Sequence, residues 1–262
     1  MSFEVDHIVI KVKNLKMAIN KFEGLGFSIT AGGDHGFTHN ALIPLENDTY
    51  IELISTKSQM AKALFKAMDD TGFAKWQLYS RNNIVGRLIK WFSLPPGPVD
   101  WCVRERKTIP KTNEHVKSKK ANWTTQRKFS RVKKDNAEIR WMLAAPKSNL
   151  LPMLIKDITS RKLRVPKYTV GMHANGAILL DAILFPQEDF EIISDQMSSM
   201  KYPVQSLDDV RSVLMVGTTC LGSDAKIKPP IKFGIRLLTS IKGSLYIPPD
   251  QSLGVPIWIN GN

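Results

Sequence analysis

The sequence predicts an α+β protein built from repeated β-α-β-β-β units. Short, β-branched apolar runs and one amphipathic stripe follow each other in that order as far as Ser55. The same order returns after the breaker Leu94-Pro95-Pro96-Gly97-Pro98, and Val99-Asp100-Trp101 then stands where Val5-Asp6-His7 stood. Each unit carries one apolar sheet face, and two such units would pair to cover it.

Val5 to Val12 is expected to be a buried strand with Val5, His7 and Val9 on one face and Asp6, Ile8 and Ile10 on the other. Asn14 is placed to cap a helix whose Leu15, Ala18, Ile19, Phe22 and Leu25 recur at helical spacing. Gly24 and Gly26 supply its stop. Phe27 to Thr30 is a short strand, and Gly32-Gly33-Asp34-His35-Gly36 is a turn-rich loop. Thr38 to Leu45 and Thr49 to Ser55 form a hairpin across Glu46-Asn47-Asp48.

Lys57 to Asp69 and Ile84 to Phe92 carry helical stripes. In the second unit a helix is expected near Asn113 to Lys120. Strands are expected near Thr124 to Phe129, Glu138 to Ala145 and Leu150 to Asp157. A third, weaker unit follows Pro166. It has a strand from Ala177 to Phe185, a helix from Phe190 to Met200, and strands at Val213 to Val216 and Phe233 to Ser240. The tail around Pro248-Pro249 and Pro256 is expected to be irregular, packing through Trp258. The expected divisions are residues 1–95, a module with a helical extension; 96–165, a second module; and 166–262, a partial third module with a tail.

A chain of 262 residues with 43% apolar content can bury a sizeable core. Its apolar runs fall short of the ~18 to 20 residues that span a bilayer. Met1-Ser2-Phe3-Glu4 lacks the start of a secretory signal. Cys102 and Cys220 make no CxxC pair, and a reducing cytoplasm is the expected compartment. The net charge is +13 and the pI about 9.7. Basic residues concentrate between Arg104 and Arg140, opposed there only by Glu105, Glu114, Asp135 and Glu138. This stretch has no zinc spacing and no nucleic-acid fingerprint, so it is expected to be a solvated surface, and nucleic acid is not an expected partner.

Glu52 is a carboxylate in the middle of the apolar run Tyr50-Ile51-Glu52-Leu53-Ile54, and His7 sits early in another. A charge in such a run is costly unless a metal or hydrogen-bonding cation answers it. These residues, with Asp6-His7-Ile8-Val9, Leu25-Gly26-Phe27, Thr38-His39-Asn40-Ala41-Leu42, Ile139-Arg140-Trp141, Leu151-Pro152-Met153-Leu154 and His173-Ala174-Asn175-Gly176, carry a resemblance. The chain resembles the glyoxalase-like branch of the vicinal oxygen chelate superfamily, over roughly residues 3 to 185.

The resemblance implies paired βαβββ modules whose sheets curl into a half-open, cup-shaped barrel. In metal-dependent members, the first strand of a module gives a histidine and its last strand a glutamate. His7 and Glu52 stand at those places, which makes them the expected metal ligands for Zn, Fe, Mn or Ni and the expected catalytic pair. The second module departs from the pattern: Trp101 answers to His7, and Pro152 or Met153 to Glu52.

Other candidate ligand-binding residues are His35 in the glycine-rich loop, His39 on its strand, and Trp101 and Trp141, which would stack on a planar ligand. Arg140 and Arg164 are candidates for holding an anion by bidentate contact. His173 is expected to cap a turn, and Cys102 to be a buried apolar residue. The expected function is that of a lyase, isomerase or dioxygenase-type enzyme acting on a substrate with adjacent oxygens. The alternative is a non-catalytic, drug-sequestering binding protein. The partner is a small molecule, with a homodimer admitted.

Overall fold

A computed structural model of the chain describes residues 3–34, 36–105, 123–132, 137–199, 214–216 and 233–261. His35, His115, Cys220 and the helix expected near Asn113 to Lys120 lie outside the described residues.

The first module runs β1 (Phe3–Lys11), α1 (Leu15–Gly24), β2 (Thr30–Asp34), β3 (Thr38–Pro44) and β4 (Tyr50–Thr56). Asn14 has extended backbone, and its side chain accepts from the Met17 N–H at 3.0 Å, so α1 starts where the sequence places it. A helical extension follows: α2 (Gln59–Asp70), α3 (Phe73–Tyr79) and α4 (Val85–Ser93). The second module consists of β5 (Gly97–Glu105), β6 (Arg127–Val132), β7 (Glu138–Ala144) and β8 (Met153–Asp157), then a short helix α5 (Arg161–Arg164). Beyond it come β9 (Ala177–Phe185), α6 (Gln187–Ser199), β10 (Leu214–Val216), β11 (Gly234–Thr239), β12 (Ser244–Ile247) and β13 (Ile257–Gly261).

Eight strands form one barrel-like sheet in the order β2-β3-β4-β1-β5-β8-β7-β6. The two halves mirror each other in connectivity. β1 pairs in parallel with β4, β5 pairs in parallel with β8, and the modules join through the antiparallel pair β1–β5. The remaining strands form a second sheet, β10-β9-β11-β13-β12. Among the described residues no helix is long and apolar enough to cross a membrane.

The two faces of the large sheet are buried by different parts of the chain. Val5, Ile8, Ile10, Trp101 and Val103 pack against Leu15, Ala18 and Phe22 of α1 and against Ile183, Phe185, Ile235 and Ile257 of the second sheet. On the other face, Val9, Ile54, Cys102, Leu143, Met153 and Ile155 meet Ile84, Trp91 and Phe92 of the helical extension. The second sheet therefore packs on one face of the large sheet and the helical extension on the other.

Several sequence expectations are corrected. Val5 does not share a face with His7. His7 pairs with Cys102 and Val5 with Val103, so Asp6 is an extra residue in β1, a bulge that reverses the alternation. Gly32 and Gly33 belong to β2 rather than to a loop; they are there for close approach, since a Cβ on Gly32 would lie 2.1 Å from Asn40 Oδ1. The tail is not irregular: Pro248 and Pro256 bound β12 and β13 rather than interrupt them, and Tyr246 stacks on Trp258 at 5.0 Å. α3 has no counterpart in the sequence expectations. β6 continues past Phe129 to Val132, which brings Arg131 into the sheet.

Candidate functional site

A cavity of about 420 Å3 lies between the sheet and the helical extension. Its wall is largely aromatic and aliphatic: Phe37, Phe65, Leu88, Trp91, Phe92, Phe129 and Trp141 among others. Its polar residues are few: His7, Thr38, Asn40, Tyr50, Glu52, Arg131 and Arg164. An apolar hollow with a handful of converging polar groups is the usual form of a small-molecule site.

His7 and Glu52 come from adjacent strands, β1 and β4, and both face this cavity. His7 Nε2 lies 3.5 Å from Glu52 Oε2. On its other side His7 Nδ1 meets Asp6 Oδ1 at 2.6 Å, and the ring stacks on Tyr50 with centroids 4.6 Å apart. The bulge makes this possible, because it lets two consecutive residues of one strand serve the same side. Glu52 is fixed in turn: its Oε1 accepts from Asn40 Nδ2, while Asn40 Oδ1 accepts from the Gly33 N–H.

Asp6 is fully buried, and burial pushes its carboxyl up. Arg164, the His7 hydrogen bond and Arg161 outweigh that and hold it well below the usual carboxylate range. Arg164 Nη1 and Nη2 reach the two Asp6 oxygens at 3.3 and 3.2 Å, and Arg161 and Arg104 also contact Oδ2. An ionised Asp6 can only accept, so the proton on this hydrogen bond sits on His7 Nδ1. In the neutral imidazole, Nε2 is then the unprotonated nitrogen, directed at the cavity. Burial raises the Tyr50 hydroxyl well above its ordinary range, although Arg164 opposes the rise. Tyr50 accordingly accepts from Arg164 Nη1 at 2.5 Å.

Trp141 lines the cavity, stacked on Phe129 at 6.2 Å. Trp101 does not. The residue after Asp100 turns to the opposite face, where Trp101 is fully buried against Phe185 and donates to the Leu150 carbonyl at 3.0 Å. The residue that faces His7 across the ladder is Cys102, whose thiol burial pushes well up. On β8, Met153 pairs with Cys102 as Tyr50 pairs with His7, so Ile155 takes the place of Glu52.

His39 lies on the other face of β3 from Asn40, outside the cavity, beside Asp34 in the ladder; burial, then Lys57, lower its pKa. Arg140 is exposed, 3.7 Å from Glu138, because the alternation that turns Trp141 inward turns Arg140 out. His173 does more than cap a turn. Its Nδ1 accepts from the Ser28 N–H at 3.0 Å and its Nε2 donates to the Pro44 carbonyl at 2.8 Å, tying the segment before β9 to the first module.

Asp6, Asn40, Tyr50 and Arg131 are site residues that the sequence analysis missed. Arg131 was assigned to a solvated basic stretch. The two-residue alternation Phe129, Arg131 is the signal that would have turned it inward, had the strand been carried two residues further.

As a metal site, the donor set is incomplete. The 3.5 Å separation of His7 Nε2 and Glu52 Oε2 suits two neighbouring ligands of one ion. A catalytic ion ordinarily has a third protein ligand. No group of three or more His, Cys, Asp or Glu that could hold an ion occurs among the described residues. Met153 and Ile155 occupy the second module's positions, and the Arg131 and Arg164 guanidinium groups line the same cavity. The residues described thus do not fit a resident divalent ion, and the chemistry derived below uses the side chains alone.

A family model described as a glyoxalase-like domain matches residues 5–199. No curated protein matches the sequence. A crystal structure of a hypothetical protein from Staphylococcus aureus is similar in fold, with a TM-score of 0.64 and 14% identity, covering 99% of this chain and 100% of that one.

Proposed function

The chain belongs to the glyoxalase-like domain family, and from that premise we propose that it is an enzyme acting on a small molecule with adjacent oxygens, by acid–base chemistry of His7 and Glu52. The observation that carries this reading is the Asp6–His7–Glu52 alignment at the polar end of an otherwise apolar cavity. Asp6 fixes the tautomer and orientation of His7, leaving Nε2 to take a proton from a carbon or hydroxyl of the substrate. Asn40 holds Glu52 beside it, within reach of the same substrate atoms, where it can return or relay that proton. The helical extension adds the apolar side chains of Leu88, Trp91 and Phe92 to the wall around these groups. Lyase, isomerase and ring-opening reactions all need such a proton transfer.

Turnover of hydroxy-carbonyl compounds, followed in metal-free buffer for wild type, His7→Ala and Glu52→Gln, tests the reading. Wild-type turnover lost by at least ~100-fold in both variants is expected of a general acid–base pair. Turnover that survives both substitutions contradicts it. A second reading is a non-catalytic pocket that sequesters planar drugs, favoured by the aromatic wall of Phe37, Phe65, Trp91 and Trp141. Stabilisation by planar drugs without turnover of any hydroxy-carbonyl compound would select it.

A further inference from the structure

The cavity contains two guanidinium groups with opposite circumstances. Arg164 has its nitrogens placed on acceptors: Nε on Asp157 Oδ1 at 2.6 Å, Nη1 on Asp6 and Tyr50, and Nη2 on Asp6 and on Asp157 Oδ2 at 3.0 Å. Arg131 has none of this. Among the described residues its buried Nε has no partner, and its Nη2 reaches only the Arg164 carbonyl, at 3.4 Å. No carboxylate among the described residues forms an ion pair with it. Burial pulls its pKa down; the nearby Glu52 carboxylate and then Tyr50 oppose that, and the Arg164 charge adds to it. Holding a cation this way is costly unless something supplies the missing acceptors.

The chain nevertheless makes room for it. At Gly33 the backbone of β2 lies so close to Arg131 that a Cβ would sit 1.8 Å from Nη1. The guanidinium is therefore packed against β2 and lines the same cavity as Glu52, Phe129 and Trp141.

We propose that Arg131 anchors the carboxylate of the substrate, and that the substrate is a 2-hydroxy or 2-oxo carboxylic acid with an aromatic body. A carboxylate accepts two parallel N–H bonds from a guanidinium, which is the contact Arg131 lacks. The carboxylate and its 2-oxygen are the adjacent oxygens of such an acid, and a carboxylate on Arg131 brings the 2-carbon toward His7 and Glu52. The aromatic body then lies against the aromatic wall. This assignment rests on the reading of the cavity as a substrate site and narrows it to one class.

Calorimetric titration of the full chain with 3-phenyllactate and with its primary amide tests both. The two probes share shape and hydroxyl and differ in charge. The expected result is that wild type binds the acid at least ~10-fold more tightly than the amide. Arg131→Met should remove that preference without weakening the amide, and Arg131→Lys should restore part of it. Leu88→Trp, which fills the cavity from α4, should abolish binding of both. Equal binding of acid and amide, or equal weakening of both by Arg131→Met, overturns the anion anchor while leaving the cavity as a ligand site. Binding of both that Leu88→Trp leaves intact, or no binding of either probe, overturns the anchor and the site together.

Discussion

Each module contains an aspartate on its first strand, and each aspartate is held by an arginine from the segment that follows the other module. Asp100 of β5 takes Arg87 of α4; Asp6 of β1 takes Arg164 of α5. Their surroundings differ. Arg87 contacts both Asp100 oxygens at 2.6 Å, and its other N–H groups go to the carbonyls of Pro146, Ser148 and Leu151. The Trp91 indole and the Trp101 N–H complete the Asp100 shell, and both partners of the pair are 1% exposed. At Asp6 the place of that indole is taken by the His7 ring, which opens onto the cavity. The same ion pair is thus a sealed staple in one module and the support of a candidate acid–base group in the other. The second module shares the framework without the candidate acid–base pair: Cys102, Met153 and Ile155 stand where the first has His7, Tyr50 and Glu52.

The contrast is testable by breaking each pair. Arg87→Met leaves Asp100 buried and unanswered and should cost ~3–5 kcal/mol of stability in denaturant unfolding. Arg164→Met should cost less, because Arg161 and Arg104 remain on Asp6; its larger effect should fall on ligand affinity and turnover. A greater stability loss for Arg164→Met than for Arg87→Met would reverse the assignment of staple and support. Trp101→Ala, in the opposite core, should destabilise by ~3–5 kcal/mol and leave the affinity of the surviving folded protein unchanged. A specific affinity loss there would return Trp101 to the site.

Smaller effects sharpen the comparison. The Asp6 carboxyl is held below its ordinary range, so its contribution is fully present above the unfolded value near ~4. It is lost as pH falls through the lower, folded value. The stability gap between wild type and Asp6→Asn should therefore close as pH falls below about 4. A gap that widens below that pH would contradict the ionised Asp6. Gly33→Ala should shift Arg131 at little cost in stability, since the obstructing atom is the end of a flexible side chain, and should weaken acid binding selectively.

Much of this arrangement was legible in the sequence, with specific failures. The order of elements in the first module follows from periodicity and capping, as Asn14 shows. His7 and Glu52 were visible because a carboxylate in an apolar strand demands a partner. Asp6 was hidden by a bulge, a single inserted residue that no alternation rule foresees and that moves Val5 and His7 onto opposite faces. Arg131 was hidden by its company: among so many lysines and arginines, one inward guanidinium differs only in its register on β6. Gly32 and Gly33 suggested a flexible loop, whereas they permit two close approaches, to Asn40 and to Arg131, that exist only in the folded sheet. Trp101 was drawn toward the cavity by alignment with His7, an inference that fails once the two strands carry their irregularities at different points.

The protonation pattern of one imidazole tests this account most directly. Nitrogen-15 NMR of the His7 ring, recorded at a pH where the ring is neutral, should show Nδ1 protonated and Nε2 bare, and that preference should weaken in Asp6→Asn. A proton found on Nε2, or a pattern indifferent to Asp6→Asn, would contradict the proposed role of His7 as a base facing the cavity.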